Sequence, residues 1–485
     1  MLFNSYVFVL LFLPLCIIGY FSLNHFGKYS AGQFFLLVMS LWFYGYYNIG
    51  YLFVILTSML INYGVYLLIL KFAGRRTLGK GILFSGIALN LGILIYFKYM
   101  DFFISNINAV FKTELDFLKI ALPLGISFFT FQQISFITDA YRGEVAKYHF
   151  LHYACFVSFF PQLIAGPIVT YDELIPQFLD REKKKVNADN LAAGIYLFAM
   201  GLAKKVLLAD IFGDVVTYGF TTLEQLNSVT ALLVMLSYTF QIYFDFSGYC
   251  DMAMGIGRML NIDLPLNFNS PYKALTITEF WDRWHMTLTR FFTKYVYIPL
   301  GGSRKGKVRT YANILIVFLL SGLWHGASWN FVFWGLCHGI FMVLTRLFSD
   351  FFKKLHPALN WLMTFSFVNI MWVFFRAETF SQATTLLSKL FSWSFWTVDY
   401  VFFEMFRSVE LKKLLAFIPL ERFYPPFLIT AYFVLAFGMI LGSRNSYEKF
   451  KSFQPSCRNM LSTLFLLIWC VFSFAGISTF LYFNF

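Results

Sequence analysis

The sequence predicts an all-α, polytopic membrane protein, and three features of it make that prediction. Only 13% of its 485 residues are charged, against about 25% in an ordinary soluble domain. Hydrophobic residues make up 59% and aromatic residues 22%, with a mean hydropathy of +0.65. Apolar runs of about twenty residues recur along the chain, the length that a helix needs to cross hydrocarbon. Only helices or closed barrels satisfy every backbone group there.

Taken in order, the apolar runs fall near 2–23, 31–47, 51–70, 82–97, 119–138, 190–208, 226–247, 311–323, 328–348, 358–375, 426–442 and 459–480. Together they predict roughly 11–13 spans plus re-entrant or interfacial helices around a central funnel. The opening MLFNSYVFVLLFLPLCIIGYF carries no basic residue before its apolar stretch and no small-residue cleavage site. It reads as a first span, not a removed signal. No repeat, linker or long polar stretch divides the chain, so 1–485 reads as a single membrane domain. Its core motifs lie at 241–338, and a last span with an aromatic tail occupies 459–485.

Basic residues gather in short loops: Lys71, Arg75, Arg76 and Lys80; Arg181 and Lys183–Lys185; Arg304, Lys305, Lys307 and Arg309; Arg444, Lys449, Lys451 and Arg458. This is the pattern of cytoplasmic anchoring. It accounts for the net charge of +13 without nucleic acid, because no basic stripe lies on a soluble domain. By the same rule the N- and C-termini are expected outside. Residues 149–168 lie between two loops of cytoplasmic type and contain Pro161, Gly166 and Pro167. A segment that enters and returns to the same face fits them better than a span.

The six cysteines form no C-x-x-C pair, so neither a zinc site nor a disulfide framework is indicated. His149 and His152 share a spacing but have no nearby third ligand. No metal site is expected.

The region after 241 changes character. Asp245, Asp251, Arg258, Asp263, Glu279, Asp282, Arg283, His285 and Arg290 fall within 46 positions, and ionisable residues in hydrocarbon mark function or pairing. His325, in SGLWHGASWNFVFWG, lies roughly 20 Å from the basic loop at 304–309 if the intervening residues are helical. Gly322 and Gly326 flank it and leave room for another group. An imidazole so placed is a candidate general base for a hydroxyl acceptor, with a structural histidine as the alternative. His285, between Trp281 and Trp284, has Asp282 three residues before it. On one helix face that carboxylate would fix its tautomer; an interfacial aromatic belt is the alternative. His338 reads as structural.

The blocks DFSGYCDMAMGIGRMLN, LNFNSPYKALTITEFWDRWHMTL, YIPLGGSRKG and SGLWHGASWNFVFWGLCHG resemble the signature of the membrane-bound O-acyltransferase family. They are most similar to its alginate and peptidoglycan O-acetylation branch. The resemblance implies an enzyme of the bacterial cytoplasmic (inner) membrane that uses acetyl-CoA as donor substrate, with no bound cofactor. It also implies an extracytoplasmic SGNH or esterase-like partner that passes acetyl to an envelope or secreted polysaccharide, with membrane lipids as surroundings. The family's essential histidine maps onto His325 and its second onto His285. The string TKY at 293–295 departs from the Arg-Asp-Tyr of many relatives.

Candidate substrate-binding residues are Trp281, Asp282, Trp284 and Asn330, with Arg304 and Lys305 for the donor's phosphates. In the closing STFLYFNF, the Tyr482 phenol is a candidate acyl carrier, with an interfacial anchor as the alternative. A lipid-linked sugar transporter and a non-catalytic scaffold are the competing functions. Transporters of that kind are built from repeats, and none is visible here.

Overall fold

A chain with no water to satisfy its backbone folds into helices. The computed structural model describes residues 1–394, 398, 400–406, 424–474 and 480–481. Among the described residues the only strand-like pairing is one antiparallel bridge, Phe268 with Trp284. Among those residues eight helices are long and apolar enough to cross a membrane: α1 (Val7–His25), α2 (Gly50–Lys71), α3 (Arg76–Lys98), α4 (Ala188–Thr221), α5 (Ser228–Met259), α6 (Lys307–His325), α7 (Trp329–Leu347) and α8 (Pro357–Arg376). The other expected runs are also helical but shorter, at Tyr29–Gly45, Ile126–Tyr141, Pro426–Gly442 and Cys457–Phe472. Tyr482 lies outside the described residues.

The chain divides into two compact units. The first comprises 1–198 and 252–265. Its core is aromatic, with Phe3, Phe8, Phe12, Phe43 and Phe160 packed ring to ring. Here the segment expected to enter and return is a helix at Phe150–Ser158, a non-helical Phe159 and a single turn at Phe160–Leu163. Nine and four residues cannot span about 30 Å at about 1.5 Å each. Every residue from Tyr153 to Val169 is buried, so protein surrounds this irregular backbone, as the absence of water demands. Gly166 is required there, because a Cβ would lie 2.3 Å from the Gln162 Cα.

The second unit comprises 199–251 and 266–485. Its frame is the hairpin of α6 and α7, which cross at small residues. A Cβ on Gly322 would lie 2.2 Å from the Phe331 carbonyl, and one on Gly335 2.4 Å from that of Phe318. Small residues let helices approach closely where lipid gives no hydrophobic drive to associate. Inside α4 the Lys204–Ala209 stretch is π-helical, a form found often at functional positions. It carries two buried lysines, each ion-paired within this unit: Lys204 with Asp251, and Lys205 with Asp210 and Asp245, all at 2.7 Å.

Candidate active site

His285 owes its position to a broken helix. Thr276 caps Ile277–Arg283 by accepting from the Glu279 amide at 3.2 Å. The helix stops at Arg283, Trp284 is extended, and His285 takes the left-handed conformation at φ +47°. That costs a non-glycine residue energy, and a short ladder holds it. The Asn269 amide donates to the Arg283 carbonyl at 2.9 Å and the Met286 amide to the Asn267 carbonyl at 3.0 Å. A second helix, Met286–Phe292, starts immediately after.

This break corrects one expectation. Asp282 and His285 do not share a helix face, and Asp282 is exposed. The ring is oriented instead by Asn267, which is fully buried. Asn267 Oδ1 lies 3.1 Å from His285 Nδ1 and also accepts from the Thr287 amide at 3.2 Å and the Thr287 hydroxyl at 3.0 Å. The Asn267 Nδ2 donates to Cys250 Sγ at 3.4 Å, which fixes the orientation of the amide. A carbonyl oxygen only accepts, so His285 Nδ1 carries the proton and Nε2 keeps a basic lone pair. Burial pulls the imidazole down to about 3, so the ring is neutral at physiological pH.

His325 is the last residue of α6, where Gly326 turns the chain towards α7 in extended conformation. It is buried, and its ring meets Trp324, Trp334 and Phe375 with centroids at 4.9, 5.3 and 5.1 Å. The Trp324 indole also faces His285 at 6.0 Å. The two histidines, 40 positions apart in sequence, therefore flank one tryptophan. Phe246 of α5 closes the other side of His285, edge-on at 4.8 Å.

The other candidates divide. Trp281 donates its indole N–H to His338 Nδ1 at 3.3 Å, and both are buried; His338 is thus a structural acceptor. Trp284 is buried among Phe268, Phe280 and Trp372. Asn330 donates to the Ala377 carbonyl at 2.7 Å and ties the start of α7 to the end of α8. Asp282 lines a cavity of about 310 Å³ with Trp281, Met286, Thr289, Arg290, Thr293 and Lys294. Arg304 and Lys305 are exposed on the loop before α6. His152 Nδ1 lies 3.0 Å from Gln33 Oε1, and among the described residues no three potential metal ligands converge.

Sequence reasoning missed Asn267, and it did not place Arg290 or Lys294 beside Asp282, where both line the cavity. Asn267 stood inside a signature block, LNFNSPYKAL, whose other polar residues gave no local reason to single it out.

A family model of the membrane-bound O-acyltransferases matches residues 37–382, the stretch that holds both histidines, Asn267 and the α6–α7 hairpin. The chain belongs to the membrane-bound O-acyltransferase family. It is therefore a multi-pass membrane acyltransferase. Similar proteins include the peptidoglycan O-acetyltransferase of Helicobacter pylori, 43% identical over 420 residues that cover 80% of each chain. A protein of Azotobacter vinelandii named "probable alginate O-acetylase AlgI" is 37% identical over 86% of this chain and 83% of its own. The teichoic acid D-alanyltransferase of Bacillus subtilis is 30% identical over 53% of this chain and 69% of its own. In such an enzyme, two buried imidazoles of this kind can act chemically as a base and as a group that orients a proton.

Proposed function

We propose that this acyltransferase takes acetyl from acetyl-CoA on the cytoplasmic side of a bacterial inner membrane and delivers it outside for O-acetylation of an envelope or secreted polysaccharide. The observation that carries the reading is the pair of buried imidazoles that both meet Trp324, with His285 Nδ1 held by Asn267 Oδ1. The names of the relatives favour peptidoglycan or alginate as the final acceptor. The basic loops favour a cytoplasmic donor side, because CoA phosphates cannot enter hydrocarbon and cations at the interface attract them.

In the proposed step the Tyr482 phenol attacks the thioester carbonyl. A C–O bond forms, the C–S bond breaks, and the phenolic proton passes to His325 and then to the departing CoA thiolate. His285, neutral and basic at Nε2, orients the hydroxyl. The tyrosyl ester then gives its acetyl to a hydroxyl of an extracytoplasmic esterase-like partner, whose proton restores the phenol.

His325→Ala should abolish acetyl-CoA consumption while leaving expression and insertion intact. Tyr482→Phe should still bind acetyl-CoA yet acetylate no product. Mass spectrometry of the peptide containing residue 482, with the partner removed, should show an added acetyl that His325→Ala lacks. Normal product acetylation by Tyr482→Phe would refute the relay and leave the histidine assignment standing.

A further inference from the structure

The residues just before Tyr482 are docked on a buried charge cluster. Lys205 Nζ lies 2.7 Å from both Asp210 Oδ1 and Asp245 Oδ1. One ammonium faces two carboxylates. The other oxygen of Asp245, Oδ2, accepts the Leu481 backbone N–H at 2.9 Å. Phe480 is 1% exposed. Its ring stands edge-on to Tyr249 at 4.6 Å and lies 4.9 Å from Lys205 Nζ. Main-chain amide, ring edge and cation thus hold two consecutive residues from three sides.

The position of this socket connects it with the chemistry. Asp245 and Tyr249 are one turn apart on α5, and between them stands Phe246, whose ring packs on His285 at 4.8 Å. The same turn of helix grips the tail and walls the site. A carboxylate in low dielectric needs every donor within reach, so the tail amide completes the solvation of Asp245. In return, Asp245 fixes the backbone one residue before the proposed carrier.

We infer that Lys205, Asp210, Asp245 and Tyr249 form a socket that positions the acyl-carrier tyrosine by holding residues 480 and 481. This rests on the reading that Tyr482 carries acetyl. The four are positioning residues: they act through the tail and touch neither donor nor acceptor.

Leu481→Pro tests the socket without disturbing the helices, because proline deletes the backbone N–H that Asp245 Oδ2 accepts. Leu481→Ala, which keeps it, is the control. With the full chain in membranes, Leu481→Pro should lower kcat for product acetylation roughly tenfold to a hundredfold, the worth of one hydrogen bond to a buried charge. The KM for acetyl-CoA should be unchanged, and Leu481→Ala should stay within about threefold. Asp245→Asn weakens the amide bond and also breaks the Lys205 ion pair, so it should lower kcat at least as far, and adding Leu481→Pro to it should cost less than the same change costs in the wild type.

Wild-type turnover by Leu481→Pro, with Tyr482→Phe inactive, would overturn the socket and leave the relay standing. Activity in Tyr482→Phe would overturn the relay and the socket with it. Full additivity of Asp245→Asn and Leu481→Pro would overturn the assignment of Asp245 as the partner.

Discussion

Replacing Asn267 by alanine is the sharpest test of how the site is built. The side chain is fully buried and accepts three hydrogen bonds through one oxygen, from His285 Nδ1, the Thr287 amide and the Thr287 hydroxyl. Alanine leaves the imidazole N–H with no oxygen at its present position. An unsatisfied buried donor costs about 1–3 kcal/mol. If that cost falls on the oriented Nδ1–H tautomer, kcat drops by about tenfold to a hundredfold.

The assay is acetyl release from labelled acetyl-CoA by purified protein in proteoliposomes, with a thermal melt to confirm folding. KM for the donor should change little, because Asn267 acts on ring orientation. Asn267→Asp keeps an acceptor oxygen but sets a carboxylate beside a ring that burial holds near 3. The opposite charge favours imidazolium and raises that value. Activity should then be lost as pH falls through the raised value, whereas wild type should show no His285 titration between pH 5 and 8. A folded Asn267→Ala enzyme within about twofold of wild-type kcat would refute the tautomer argument.

Three further outcomes are expected. His325→Ala should lose all transfer while His338→Gln, at the acceptor of the Trp281 indole, should lower the melting temperature more than it lowers kcat; equal loss of kcat in both would assign His338 to the chemistry. Neutralising Arg304, Lys305 and Lys307 together should raise the KM for acetyl-CoA most at low ionic strength, where screening is weakest, and an unchanged KM with topology verified would return them to anchoring. Gly335→Ala sets a methyl group 2.4 Å from the Phe318 carbonyl, so the α6–α7 hairpin must part; a lower melting temperature with weakened activity is expected, and a wild-type melt would contradict the close crossing.

Much of this was legible in the sequence for one reason: hydrocarbon forces backbone into helices. Each expected apolar run contains a helix, although the run at 119–138 becomes helical only from Ile126, and Pro161 and Gly166 marked a segment that is indeed broken and buried. His285 and His325 stood out because polar residues in apolar sequence are costly. Their partners did not. Lys204 and Lys205 sat unremarked in an apolar run: Asp210 lies close to Lys205 in sequence, but Asp251 and Asp245, which pair with them from α5, lie 40 or more positions away.

What the sequence determined by itself was the membrane class, the helical content and the two histidines, since composition and local spacing carry those. Only the tertiary structure decided which groups meet. The choice of Asn267 over Asp282 depended on a helix that stops at Arg283 and turns His285 into the left-handed region. The flanking of Trp324 by both rings depended on how α6 ends against the 267–287 ladder. The seat of Phe480 and Leu481 depended on a lysine, two aspartates and a tyrosine drawn from α4 and α5. Hydrogen bonds and ring contacts act over about 3–6 Å, and sequence spacing sets such distances only within a helix. Once a helix breaks or two helices cross, packing sets them.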